Sequence, residues 1–174
     1  GFVPAAGTAA QRRQGIADTP AQFAADIQAK AKGQAAPHLV AAYSQAIGPA
    51  MDALAEHHGL VWQVLDDFLY PGHSVHRMHA VPEKTGTGLM QRLQRAADSA
   101  GLTVMSDARV TELWCDASKQ VRGVGVRRPD GSTERIACQA LLLACNGYGG
   151  SPELVRQWIP EMAEATYAGH VGKD

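Results

Sequence analysis

The sequence predicts a mixed α/β (α+β) fold, with a helical insertion ahead of an open sheet and an antiparallel β-meander inside it. Three observations carry that expectation. Residues 140–144 (Ala-Leu-Leu-Leu-Ala) run without interruption into Cys145-Asn146-Gly147-Tyr148-Gly149-Gly150. A short apolar run that ends in glycines reads as a strand buried on both faces, as in parallel sheets. Residues 19–59 carry apolar side chains at threes and fours, whereas residues 110–138 break into short β-favouring runs between turn residues.

The 174 residues suffice for one domain, and a hydrophobic content of 45% can fill its core. A net charge of -1 argues against nucleic acid or an anionic membrane as the main partner. No apolar run nears the roughly 20 residues that span a bilayer, and no signal-peptide pattern occurs, so the expected setting is cytoplasmic with no membrane contact. Cys115, Cys138 and Cys145 are widely spaced, which predicts buried, reduced thiols. The chain opens on Gly1-Phe2-Val3-Pro4 without a methionine and stops at Gly172-Lys173-Asp174. Both ends read as loops cut within a motif, so the expectation is an internal segment of a longer protein.

Taken in order, residues 1–8 read as loop. Asp18-Thr19-Pro20 starts a helix with Phe23, Ile27 and Ala31 on one face, ended by Gly33. A second helix starts near Pro37, presents Leu39, Val40, Tyr43, Ile47, Met51 and Leu54, and stops at Gly59; Gly48-Pro49 should kink or break it. Residues 60–65 read as a strand and 66–82 as a loop. Thr85-Gly86-Thr87-Gly88 opens a helix carrying Leu89, Leu93, Ala96, Ala97 and Ala100 inward, closed by Gly101. Residues 102–105 form a short strand, and 110–115, 121–127 and 133–138 form the meander, with Asp130-Gly131 as its hairpin signal. Ser151-Pro152-Glu153 then supplies a cap, a proline at the first helical position and an acid in the first turn.

Two constellations bear on chemistry. His73-Ser74-Val75-His76-Arg77-Met78-His79 admits three readings: a zinc site, an anion site with Arg77 forking a carboxylate, or a solvated loop. Thr85-Gly86-Thr87-Gly88 either presents backbone N–H groups to an anion or simply caps its helix. It lacks the ending of a triphosphate-binding loop, and no GxGxxG occurs anywhere. A rival overall reading is a non-catalytic helical-plus-meander domain that binds a partner or metal through the histidine loop.

The order of elements carries a resemblance. Lys84-Thr85-Gly86 before a helix with Leu89 and Leu93, then Gly101, Val110-Thr111-Glu112-Leu113, Val121-Arg122-Gly123-Val124 and Leu141-Leu142-Leu143-Ala144-Cys145-Asn146-Gly147 resembles the fumarate reductase/succinate dehydrogenase flavoproteins. Among them it looks most like the soluble FAD-dependent dehydrogenases, tricarballylate dehydrogenase included. Where that family pairs two glycines after the apolar strand, this chain has Asn146 in place of the first.

The resemblance implies a partial FAD/NAD(P)-binding Rossmann-like domain, with FAD as cofactor and residues 1–174 as one internal segment of it. Residues 19–59 are its helical insertion, and residues 84–150 its helix, meander and core strand. The implied oxidoreductase exchanges hydride between the flavin and a dicarboxylate-like or enone-type small-molecule substrate. By the same resemblance Ala5, Ala6 and Gly7 approach the flavin, and the backbone of Val110 and Thr111 meets the adenine. Ala144, Cys145, Asn146 and Gly147 line the pyrophosphate and ribose, and Asp174 belongs to a closing glycine segment. The dinucleotide fingerprint would lie before Gly1 and the catalytic arginine after Asp174, so no catalytic residue is carried over. His73, His76, Arg77 and His79 are assigned to the substrate side. An isolated chain of this kind is expected to associate through exposed sheet edges.

Overall fold

The computed structural model describes residues 1–166. The chain divides into two compact units, at Val104/Met105. The division falls inside the 84–150 segment that the sequence treats as one piece.

In the first unit, β1 (Val3–Pro4) leads through a buried turn into α1 (Ala9–Arg13). Thr8 caps α1 by a capping box with Gln11, in which each side chain satisfies a backbone N–H of the other. α2 (Pro20–Lys30) starts at the Thr19 cap, with proline at its first position. α3 (Pro37–His58) ends at Gly59, whose φ of 67° is the left-handed stop that glycine adopts without strain. β2 (Gln63–Val64) and β3 (Met78–Ala80) follow, then α4 (Gly86–Ser99), whose Thr85 cap accepts from the Gly88 N–H at 3.0 Å. The sheet order is β1-β3-β2, antiparallel, with Val3 opposite His79 and Val64 opposite His79 on the other side. The core gathers Ala5, Ala10, Met51, Leu60, Trp62, Val64 and Val81, with Leu89, Leu93 and Ala96 of α4 packed against it.

Three expectations change here. The strand expected over 60–65 contracts to two residues, and the loop expected over 66–82 contains β3. α3 runs unbroken through Gly48-Pro49. A proline inside a helix forfeits one hydrogen bond and crowds the carbonyl a turn earlier; here the helix continues because its buried face is anchored on both sides of Pro49. Met51 and Val40 lie in the core, and the Trp62 indole N–H donates to the Met51 carbonyl at 2.9 Å.

The second unit holds β4 (Arg109–Cys115), β5 (Val121–Arg127) and β6 (Thr133–Ala137) as an antiparallel meander in chain order. Val124 pairs with Ile136, and Val126 is buried. Asp116 and Asp130 each fold their turn by accepting from backbone N–H groups two or more residues on. α5 (Pro152–Trp158) starts at the Ser151 cap as its sequence predicts, and a 3₁₀ turn spans Pro160–Met162.

The strands expected over 140–144 and 102–105 are not laddered: both segments lack strand pairing among the described residues. Leu142 is 87% exposed and Leu143 60%. A strand of parallel-sheet character is only a strand when neighbours supply its hydrogen bonds, and none of the described strands lies beside these segments. Cys115 and Cys145 are likewise exposed and only Cys138 is half-buried; all three are free thiols. The expected burial of the cysteines fails for the same reason, since their segments gain no covering layer. Among the described residues no helix is long and apolar enough to cross a membrane.

Candidate functional site

The first unit contains one backbone segment built with unusual constraint, the strap Val3-Pro4-Ala5-Ala6-Gly7-Thr8. Ala5, Ala6 and Thr8 are buried. The strap is held from every side: Ala5 N–H donates to the Arg77 carbonyl at 3.0 Å, and the Tyr43 hydroxyl donates to the Pro4 carbonyl at 3.0 Å. The Asp52 carboxylate receives the Ala9 N–H on both oxygens, at 2.9 and 3.0 Å. Arg12 bonds the Gly7 carbonyl, and Gly7 turns the chain at φ +68°. α3 comes so close that a Cβ at Gly48 would sit 2.3 Å from the Ala6 carbonyl oxygen. That approach explains a glycine in mid-helix, where it costs about 1 kcal/mol against alanine.

With so many groups tied down, two stand out as untied. Among the described residues no acceptor takes the N–H of Ala6 or of Gly7. Buried backbone donors are nearly always paired, since an unsatisfied one costs about 1–3 kcal/mol. Two successive donors without an acceptor among the described residues, one of them on half-buried Gly7, are open to a ligand or to water.

The histidine loop braces this strap. Arg77 is fully buried. Its Nε and Nη2 donate to the two oxygens of Asp18 at 2.9 and 3.0 Å, its Nη1 donates to Asp26, and its guanidinium lies 4.7 Å from the Phe23 ring centre. The sequence places Arg77 as a fork for a substrate carboxylate; in the structure the fork is taken by carboxylates of this chain, and that role is withdrawn. Burial pushes the Asp26 carboxyl up, but hydrogen bonds from Ser74 and Arg77 outweigh it and hold the group below its ordinary range.

His79 is buried too. Its Nδ1 lies 2.8 Å from the Arg77 carbonyl and its Nε2 2.7 Å from the Thr8 hydroxyl. Its assignment to the substrate side is withdrawn for the same reason as that of Arg77. His73 and His76 each have an Nδ1 that is buried and unpartnered, so neither offers that atom to a ligand in solution. The three histidines do not converge: among the described residues no group of histidine, cysteine and acidic side chains could hold a metal ion.

Burial lowers the His79 pKa, against the hydrogen bonds to Arg77 and Val3; burial and the Arg77 charge lower that of His73. Both shifts favour the uncharged imidazole. Below their ordinary value of 6.5 the unfolded chain binds protons that the folded one refuses, so stability falls as pH drops through that value and is flat above it. Urea midpoints between about pH 7.5 and pH 5 should show this decline, and His79→Gln should reduce its slope. A flat wild-type profile would contradict the burial of both rings as uncharged groups.

In the second unit, Val110 is half-exposed on β4 beside Thr111. Residues 144–147 are exposed and outside any helix, strand or turn, and Asn146 adopts φ +67°. Asparagine is the non-glycine residue that tolerates this conformation best, which accounts for its standing where the resembling family has glycine. A Cβ at Gly147 would meet nothing within 4 Å, so the backbone there is open to close approach. Asp174 lies outside the described residues.

Sequence signals for the missed residues existed in part. Thr8-Ala9-Ala10-Gln11 is a readable capping box, and a glycine in mid-helix is a readable sign of close approach. Asp18, Asp26 and Asp52 gave none, because their partners are distant in the chain.

A family model described as FAD binding domain matches residues 1–173. Urocanate reductase of Eggerthella lenta is 30% identical over 156 residues, covering 88% of this chain and 26% of that protein. A structure of the open conformation of a flavocytochrome c3 fumarate reductase superposes with a TM-score of 0.82 at 24% identity, covering 98% of this chain and 30% of that one. The chain thus spans about a quarter to a third of the relatives it matches. On the family match, the chain belongs to the FAD binding domain family, and it shares its fold with the flavocytochrome c3 fumarate reductase.

Proposed function

We propose that the complete protein is an FAD-dependent reductase of a small unsaturated carboxylate. The single observation that supports it from this chain is the strap, whose Ala6 and Gly7 N–H groups have no acceptor among the described residues although Pro4, Ala5, Gly7 and Thr8 are each tied elsewhere. In this reading Ala5, Ala6 and Gly7 lie against the flavin edge. Within the second unit, Val110 and Thr111 would take the adenine by main chain, and Ala144, Cys145, Asn146 and Gly147 the ribose and pyrophosphate. When bound, FAD supplies two-electron hydride chemistry, and the protein supplies position and charge. What this chain contributes is a rigid pair of donors, which needs no rearrangement as charge develops on the ring.

Urocanate and fumarate, the compounds named for the two relatives, are both unsaturated carboxylates, which favours that substrate class. Arg77 and His79 are consumed inside the fold, which leaves His73 and His76 as the histidine loop's candidates for the substrate side.

The complete protein is expected to purify with FAD. Its chemically reduced flavin should be reoxidised without oxygen by an unsaturated carboxylate such as fumarate or urocanate, and not by the saturated acid. A colourless protein, or a reduced flavin indifferent to every unsaturated carboxylate offered, would overturn the reading.

A further inference from the structure

We propose that Thr8 and His79 form a positioning pair that sets the Ala6 and Gly7 donors against the flavin, so that a side chain remote from the cofactor tunes its reactivity. The inference rests on the proposed placement of the strap beside the flavin and adds to it the residues that fix the strap's geometry.

The direction of each hydrogen bond follows from what each atom can do. The Arg77 carbonyl only accepts, so His79 Nδ1 carries the proton and donates across 2.8 Å. In the neutral ring Nε2 is then an acceptor, and the Thr8 hydroxyl donates to it across 2.7 Å. With its hydrogen so committed, Thr8 Oγ1 turns its lone pairs to the Gln11 N–H, which donates at 3.0 Å. Gln11 Oε1 in turn accepts the Thr8 N–H at 3.2 Å, while Gln11 Nε2 donates to Asp18 and to the His76 carbonyl. Each donor named here has an acceptor, and the order holds as long as Nδ1 donates to the Arg77 carbonyl, the Val3 carbonyl being a second backbone partner of the ring.

Thr8 is fully buried and directly follows Gly7, the left-handed residue that ends the strap. The same Arg77 carbonyl that fixes His79 also accepts the Ala5 N–H at 3.0 Å. The pair therefore clamps the strap at both ends, Ala5 through the shared carbonyl and Thr8 through the imidazole. Ala6 and Gly7, the two residues between them, are the ones with free N–H groups. A helix cap alone would not require the histidine, since Oγ1 could accept from Gln11 with its hydrogen directed anywhere.

The test uses the complete, FAD-loaded protein and the variants Thr8→Val, Thr8→Ser, His79→Leu and His79→Gln. Flavin content, visible spectrum, midpoint potential, kcat and KM are read together. Thr8→Val and His79→Leu are expected to keep FAD but shift the oxidised-to-reduced balance about tenfold, ~30 mV for a two-electron couple. They should lower kcat about tenfold with KM within about twofold, a difference of about 1.4 kcal/mol in the barrier. Thr8→Ser, which keeps the hydroxyl, and His79→Gln, which can keep an acceptor for it, should return both quantities to within about twofold of wild type.

Unchanged potential and kcat in yellow Thr8→Val and His79→Leu would overturn the pairing and leave Thr8 as a helix cap. Should those variants lose FAD, the decision passes to Thr8→Ser and His79→Gln, and a shifted potential in either overturns the proposal. A wild-type protein without flavin would instead remove the reading on which the pairing rests, and the pairing with it.

Discussion

Arg77→Ala is expected to cost the first unit about 3–5 kcal/mol, the range for removing one partner of a buried ion pair. Asp18 and Arg77 have side chains with no exposure at all, so the substitution leaves a carboxylate buried with its main counter-charge gone. It also strips Asp26 of a donor and leaves a void beside Phe23. A domain's whole stability is about 5–15 kcal/mol, so this one change removes a large part of it. The strap is fastened to the Arg77 backbone, and FAD content should therefore fall together with kcat/KM. Had Arg77 served a substrate carboxylate, kcat/KM would fall while flavin content held. Urea midpoints and flavin stoichiometry on the same preparation separate the two outcomes. The triple change Arg77→Met, Asp18→Asn, Asp26→Asn should recover much of the loss, because the desolvation of all three charges disappears with them.

Gly48→Ala is expected to damage catalysis more than stability. Alanine gains about 1 kcal/mol of helix propensity over glycine, which offsets part of an overpacking cost of about 1–3 kcal/mol. The contact itself cannot be absorbed in place. A Cβ 2.3 Å from the Ala6 carbonyl oxygen lies well inside the roughly 3.3 Å of a close C···O contact. Either α3 or the strap must give by about 1 Å, and a misplacement of that size at a reacting group costs on the order of 100-fold in rate. Steady-state kinetics should show kcat reduced on that scale with a midpoint shift under about 2 kcal/mol. A wild-type kcat would mean that the strap does not position the flavin.

The helices were legible where the chain marks its own ends. Thr19-Pro20, Pro37, Gly59, Thr85 and Ser151-Pro152 are signals of a few adjacent residues, and each begins or ends an element as read. Asp130-Gly131 marked its hairpin on the same terms. β1 and β3 were illegible because two or three residues carry no period. They exist through pairings such as Val3 with His79, which no local window contains. Arg77 was read as a ligand for something outside because its partners, Asp18 and Asp26, lie 59 and 51 residues away. A forked cation surrounded by histidines looks the same in sequence whether its anion is a substrate or an aspartate of the fold. The 140–144 run reads as a strand buried on both faces, but pairing is supplied by neighbours and not by composition, and among the described residues it forms no strand.

That run has a further consequence for anyone producing the chain by itself. From Arg135 to Glu153 no charged residue intervenes, and within this interval Leu141, Leu142 and Leu143 are all exposed. An uncharged, apolar, proline-free segment of about six residues, open to solvent, is the kind of exposed patch that draws copies of a chain together. The nearest gatekeepers, Arg135 and Glu153, stand too far off to interrupt it. Yield and shelf life of the isolated chain should therefore be governed by concentration and time rather than by heat, and a single lysine at Leu142, the most exposed of the three, should extend both.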